Sequence, residues 1–532
     1  LYTTRKVRLH ARVAEALEEL YGPQAEAHAA ELAFHFSEAE AVTGPDKLVQ
    51  YSLLAGEKAL EAYAWEDAMA LFQRGVVALE GNPVDSQIAA LLFGLGRAES
   101  STIARGQTNM INDNLETAFN FYFDSGDVNR AVAVALEFPG PPFLRSSAIT
   151  QLLSRALSLV PSDSHQAGRL LARHGSQLGS VERDYLGARS AFDQALEIAR
   201  REGDTLLEMR ILTDASRVIN QYGDRRESLE FSAQAVALAP LVNDPLLEVP
   251  ARWQAHNSYL IIGDLQRAKE QAEAALPPAE KSRHPVMLAV ACGANESVAR
   301  VSGDFESAKR FTERGLAVSP WDIAIFHSQI VSGALVGDLP KIQECIDQSY
   351  EHWNNYEGQG FRAAMVALTW YSTGLDMRLD SARREAQETL SAPAHEVSRA
   401  EATAALGLIG VYDDNQDEIR RHYEAFKELR QRIRIGLICD DRMMGILARS
   451  MGEMDLAADH FQAALSFCNT GGFRPELAWS CCDFADALLA RESSGDRERA
   501  MSLLDESLAI SRELSMRPLM ERVLSRRDIL KA

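Results

Sequence analysis

A Gly-Asp or Gly-Glu pair with a small or apolar residue five positions after the glycine recurs along this chain, and no other feature constrains its fold as much. The pair occurs at Gly126-Asp127 with Ala131, at Gly223-Asp224 with Ser228, at Gly263-Asp264 with Ala268 and at Gly303-Asp304 with Ala308. Weaker copies are Gly337-Asp338 with Ile342, Gly452-Glu453 with Ala457 and Gly495-Asp496 with Ala500. Trp65-Glu66 with Ala68 and Tyr185-Leu186 with Ala188 lack the glycine. From 223 to 263 to 303 the step is 40 residues each time. A fixed period of this kind means one supersecondary unit stacked on copies of itself.

The chemistry of each copy is that of a helical hairpin. Glycine ends a first helix by accepting positive φ. Aspartate then caps the first N–H groups of a second helix. The small residue marks the point where the two helices cross. Four residues on stands Phe72, Phe192 or Phe461, and three further Gly75, Ala195, Gly315 or Ala464. The spacing i, i+4, i+7 draws one stripe along a helix. Pro240 and Pro320, twelve residues after the small one, are expected to close two of the units. Phe-Pro-Gly-Pro-Pro at 138–142 predicts a break between sub-arrays, and Pro277-Pro278 a shorter one.

This small–large–small–Pro pattern resembles the tetratricopeptide (TPR) repeat, lengthened to 40 residues from the usual roughly 34. Longer repeats of this kind are similar to those of the bacterial maltose-regulon activator and its relatives. The resemblance covers about residues 60–515; it is strong at 60–80 and 185–320 and fades at 81–125, 138–165 and 340–440. Residues 10–36 read as two amphipathic helices separated by Tyr21-Gly22-Pro23. The strings HARVAEALEELYG, HAAELAFHF and YSLLAGEKALEAYAWEDAMALFQRG look like the junction between a STAND-type signalling ATPase core and its TPR array. LSMRPLMERVLSRRDILKA looks like the end of such an array. In large LuxR-family regulators a helix-turn-helix domain follows; in relatives a nucleotide cyclase domain precedes the ATPase. The resemblance implies an all-α, right-handed α-α superhelix. It divides into a junction segment (1–62), first TPR-like hairpins (63–137) and a main superhelix (138–532).

Composition narrows the function. At 532 residues the chain exceeds the ~250–300 that one core serves. A formal charge of -21 makes the surface as a whole repel nucleic acid and anionic membrane. Arg5, Lys6, Arg8 and Arg12 at one end, and Arg522, Arg526, Arg527 and Lys531 at the other, read as solvated helix ends. Cys292, Cys345, Cys439, Cys468, Cys481 and Cys482 include no CxxC pair and read as buried thiols of a reducing cytosol. No run approaches the ~18 apolar residues of a membrane helix. The opening Leu1 is expected to mark a piece cut from a longer protein.

Catalytic motifs are not found. No Gly-Lys dipeptide exists to anchor a phosphate-binding loop, and no Gly-x-Ser-x-Gly elbow occurs. His395-Glu396 opens like a zinc-protease helix, but Arg399 stands where its second histidine belongs. His28 and His35, seven apart on one helical face, read as packed histidines rather than metal ligands. Asp413, Asn415, Asp417 and Glu424 match calcium-loop positions, yet Glu418 replaces the turn glycine, so an acidic turn capping a helix at 418–430 is expected. Trp65, Trp253, Trp321, Trp353, Trp370 and Trp479 are expected mostly in inter-helix packing.

A ligand is expected on the concave face, lined in TPR proteins by the first helix of each hairpin. Counting back ten, six and three residues from each Gly-Asp turn gives Thr213, Arg217 and Asn220, then Trp253, Asn257 and Leu260, then Gly293, Ser297 and Arg300. His327 and Tyr371 follow in the weaker repeats. Arg217, Asn220, Trp253, Asn257, Arg300, His327 and Tyr371 form the candidate groove. Arg, Asn and Trp there suit a peptide carboxylate or a polyol. The expected function is a non-catalytic, cytoplasmic sensor and interaction module of a LuxR-family transcriptional regulator, without cofactor or metal. Its partners would be a protein, peptide or small effector, together with neighbouring ATPase and output domains. The alternatives are the same module on a cyclase or kinase, or a free-standing scaffold.

Overall fold

A computed structural model describes residues 3–102, 112–137, 147–320, 322–352, 359–430 and 438–531. Among them are 27 α-helices and no strand. In chain order these are α1 (Thr3–Tyr21), α2 (Ala29–Thr43), α3 (Asp46–Glu61), α4 (Trp65–Ala78), α5 (Ser86–Thr102), α6 (Asn112–Asp124), α7 (Val128–Glu137), α8 (Ser147–Leu157) and α9 (His165–Gln177). They continue as α10 (Tyr185–Glu202), α11 (Thr205–Gln221), α12 (Arg225–Val242), α13 (Pro245–Ile262), α14 (Leu265–Ser282), α15 (Pro285–Ser302), α16 (Phe305–Val318), α17 (Ile323–Val336) and α18 (Leu339–His352). The last nine are α19 (Gln359–Thr373), α20 (Leu379–Ser391), α21 (Glu396–Tyr412), α22 (Gln416–Arg430), α23 (Asp440–Ser450), α24 (Met454–Gly471), α25 (Arg474–Arg491), α26 (Asp496–Glu513) and α27 (Arg517–Lys531). None of the described helices is long and apolar enough to cross a membrane.

The repeat grammar is what builds the hairpins. Glu227, Arg267, Ser307 and Lys341 each donate a backbone N–H to the carboxylate of Asp224, Asp264, Asp304 and Asp338, at 3.1, 3.0, 3.0 and 3.3 Å. The small residues Ala68, Ala131, Ala188, Ser228, Ala268, Ala308, Ala457 and Ala500 are all buried, as is Ile342. All six cysteines are buried thiols.

The chain forms two compact units. The first takes residues 1–182, 186–207 and 282–286. In it Phe72 of the stripe keys between Gly56 of α3 and Gly94 of α5, where an added Cβ would come within 2.5 and 2.4 Å of the ring. The second takes 183–185, 208–281 and 287–532. Here α17, α19, α21, α23 and α25 pack in succession, and α27 packs back on α17 and α19. One continuous apolar core runs from Ile323 to Val523. The Gly-Asp turns of the unit's first half rest on its second half: Gly263 faces Phe467, Gly303 faces Leu514, and Gly337 faces Pro518 and accepts from the Arg517 guanidinium at its carbonyl.

Three expectations are corrected. Pro277 and Pro278 lie inside α14 and break nothing, because Ala268, Ala272, Ala275 and Ala279 bury one stripe on both sides of them. Pro240 is likewise inside α12, which runs on to Val242. His28 ends a 3-10 segment (Gly22–His28) and stacks on Tyr21, whereas His35 sits in α2 beside His10, so the two do not share a helix. The Phe-Pro-Gly-Pro-Pro run at 138–142 lies outside the described residues, as do Trp321 and Trp353.

Candidate functional site

The candidate groove residues divide by burial. Asn220, Trp253 and Asn257 are half-buried. Trp253 of α13 packs on Ala272, Ala294 and Val298, and so reads as part of an inter-helix contact as well as of a surface. Arg217 is buried on α11 with Asp214 at 3.8 Å. Arg300 is buried on α15; its Nε donates to Glu296 Oε1 at 3.1 Å, and Ser332 of α17 donates to the same oxygen at 3.2 Å. His327 is buried, 3.4 Å from Ser349 Oγ, with its ring against Phe361. Burial, and then the Arg362 guanidinium, hold its pKa down to about 3, so it is a neutral packed histidine at neutral pH. α13 and α15 are tied by His256, whose Nε2 lies 2.8 Å from Ser297 Oγ.

Tyr371 belongs to a different group. It projects from α19 into a cluster of charges drawn from three other helices. Its hydroxyl donates to Asp483 Oδ1 of α25 at 2.8 Å and accepts from Arg449 of α23 at 3.1 Å. Arg522 of α27 donates to Asp483 Oδ1 at 2.8 Å and to Asp486 Oδ2 at 3.2 Å. Arg442 of α23 donates to Asp483 Oδ2 at 2.8 Å and to Glu476 Oε2 at 2.9 Å. The guanidiniums of Arg442 and Arg522 also lie over the Trp479 ring, 5.1 and 5.6 Å from its centroid. Burial alone would raise the pKa of Asp483, but Arg442, Arg522 and Arg449 outweigh it and the carboxylate stays ionised. For Glu476 burial prevails over Arg442 and the pKa is raised.

Sequence reasoning placed Arg522, Arg526 and Arg527 at a solvated helix end, and the structure corrects this. Arg522 is drawn into the cluster, Arg526 donates to Asp486 at 2.8 Å and Arg527 pairs with Asp505 at 3.1 Å. The signal that would have found the cluster is the spacing of Arg442 and Arg449, and of Glu476 and Asp483. Charges seven apart on one helix share one face. The acidic turn at 413–417 behaves as expected: Asn415 Oδ1 accepts from Glu418 N at 3.2 Å at the start of α22, and Asp413 pairs with Arg383. Among the described residues no group of three or more His, Cys, Asp or Glu is placed to hold a metal.

The arrangement is one of stacked hairpins and a tyrosine–arginine–aspartate clasp that pairs charges from α23, α25 and α27 around the Tyr371 hydroxyl of α19. No family model matches the chain, and no curated protein does so. Among similar solved structures is a chain of the APC/C hetero-tetramer Cut9-Hcn1, at TM-score 0.51 and 15% identity, with 98% of this chain and 94% of that one covered. Another is a Rap protein complexed with Competence and Sporulation Factor, at TM-score 0.41 and 13% identity, with 72% and 99% covered. The first shares the fold, and the chain is accordingly a TPR-like helical repeat solenoid.

Proposed function

We propose that this chain is the non-catalytic sensor and interaction module of a bacterial signal-transducing transcriptional regulator of the LuxR kind, acting beside a STAND-type ATPase core and an output domain. Its inner face takes a protein, a peptide or a small effector at Asn220, Trp253 and Asn257, with Arg217 and Arg300 held in place behind them by Asp214 and Glu296. Binding shifts the balance between an arrangement with α27 clasped and one with α27 released.

The observation that supports this most is the clasp itself. Arg522 and Tyr371 are 151 residues apart in sequence, yet their side chains meet on Asp483. A solenoid held only by neighbouring hairpins has no such bond between distant repeats. Breaking it frees α27, the helix through which, in this reading, the change is passed on.

The test is retention of partners by the immobilised full chain, compared with a Trp253→Ala/Asn257→Ala variant of unchanged circular dichroism. A defined protein or peptide held by the wild type and lost by the variant is the expected result. Identical retention by both would remove the groove from the account.

A further inference from the structure

All six cysteines lie in the second unit. Cys292 stands on α15 and Cys345 on α18. Cys481 and Cys482 are chain neighbours on α25, and Cα atoms about 3.8 Å apart are closer than a disulfide ordinarily spans. Cys439 and Cys468 are placed differently. Cys439 is the N-cap of α23, and Cys468 lies in the last turn of α24. The two helices pack as a hairpin joined through Gly452, so the start of one stands beside the end of the other. There the two thiols are hydrogen-bonded to each other.

The surroundings give the two sulfurs different parts. Cys439 sits at a helix N-terminus, where reactive thiols are characteristically found, and is 6% exposed; Cys468 is 0% exposed. The pKa of Cys468 is pushed far up, first by the hydrogen bond with Cys439 and then by burial. Cys468 is therefore a protonated thiol held in contact with the other sulfur. The pair also stands at the foot of the clasp. Glu476 of α25 accepts the Cys439 N–H at 2.8 Å through Oε1 and the Arg442 guanidinium at 2.9 Å through Oε2.

We propose that Cys439 and Cys468 are a redox modification site, which a hydroperoxide converts to a reversible disulfide across the open end of the α23–α24 hairpin. The Cys439 sulfur, as thiolate, attacks one peroxide oxygen. An S–O bond forms, the O–O bond breaks, and hydroxide leaves and is protonated to water; sulfur has lost two electrons and is a sulfenic acid. The Cys468 sulfur then attacks the Cys439 sulfur. The S–S bond forms, the S–O bond breaks, and the departing hydroxide takes the Cys468 proton as a second water. Two thiols and one hydrogen peroxide thus become one disulfide and two waters. In a reducing compartment a bond of this kind is transient. The chemistry needs no partner on the inner face.

The test treats the reduced, folded full chain with hydrogen peroxide and blocks the remaining thiols with N-ethylmaleimide. Mass mapping of chymotryptic peptides follows, because cleavage after Phe473 and Trp479 separates Cys468 from Cys481 and Cys482. The expected result is Cys439–Cys468 as the dominant linkage, reversed by dithiothreitol and lost in Cys439→Ser. In Cys468→Ser, with circular dichroism unchanged, Cys439 should halt as the sulfenic acid and be trapped by dimedone. The wild-type map decides the question even if a variant fails to fold. All six thiols recovered as maleimide adducts, or linkage dominated by any other pair, overturns the proposal. Dimedone adducts confined to other cysteines of Cys468→Ser overturn the assignment of Cys439 as the attacking sulfur.

Discussion

At the scale of single residues, Glu401 and three buried histidines give stability opposite dependences on pH. Burial raises the Glu401 pKa to about 8 and lowers those of His256, His284 and His327 to about 4, about 4 and about 3. For the histidines the folded values lie below the unfolded one, so the unfolded chain binds more protons on acidification. Their contribution is complete above about pH 6.5 and is lost as pH falls toward 4, by about 1.4 kcal/mol per pH unit for each at full titration. Glu401 runs the other way. It is neutral in both states below about pH 4.5, and its contribution is lost as pH rises from there to 8. Glu401→Gln should therefore stabilise the chain, by on the order of 3 kcal/mol at pH 7 and by much less at pH 5. Urea midpoints at the two pH values check this; an effect of equal size at both would show that Glu401 is not an isolated buried carboxyl. These residues were not legible in the sequence. A glutamate inside an Ala-rich helix looks solvated until every side of that helix is known to be covered, as happens to α21 from Ala400 to Gly410.

At the scale of the element, the hairpin turns were the most legible part of the chain because their causes are local. A glycine, a capping aspartate and a small residue five positions after the glycine act within one turn of helix. What the sequence did not contain is that some turns do a second job. Gly126 has φ +76° and open space around it, whereas Gly303 has φ +94° and Leu514 side-chain atoms 2.7 Å from where a Cβ would stand. Gly126→Ala should cost about 1–2 kcal/mol, the cost of left-handed backbone alone. Gly303→Ala should cost roughly 1–3 kcal/mol more, for overpacking against a helix end two hundred residues away in sequence. Equal shifts in the urea midpoint would mean that the Gly303–Leu514 approach contributes nothing. The same blindness to distance explains the misreading at Pro277-Pro278. Proline's cost is local and visible, while the alanine stripe that keeps α14 continuous is recognisable only once α14 has neighbours.

At the scale of the molecule, the solenoid reading was available from the 40-residue period, but the closure of the second unit was not. Stacked repeats ordinarily couple only to their neighbours, so that stability is close to a sum of nearest-neighbour contributions. Here α27 returns to α17 and α19, and the clasp of Tyr371, Arg449, Asp483 and Arg522 joins helices that a nearest-neighbour stack keeps apart. The expected consequence is coupling across that unit, by which, in the function proposed above, a partner bound at one repeat would be felt at another. In the sequence the residues of the clasp look like charged stripes on separate helices, and no local rule pairs residue 371 with residue 522.

Hydrogen exchange of the full chain, wild type against Arg522→Ala, measures this closure directly. If α27 clasps the unit, amides of Ile323–Val336 and Gln359–Thr373 should exchange about tenfold faster or more in the variant, together with those of α27, while α3, α4 and α5 keep wild-type protection. Faster exchange confined to residues 517–531 would mean that α27 is only a terminal helix, and the clasp would have no part in transmitting a signal.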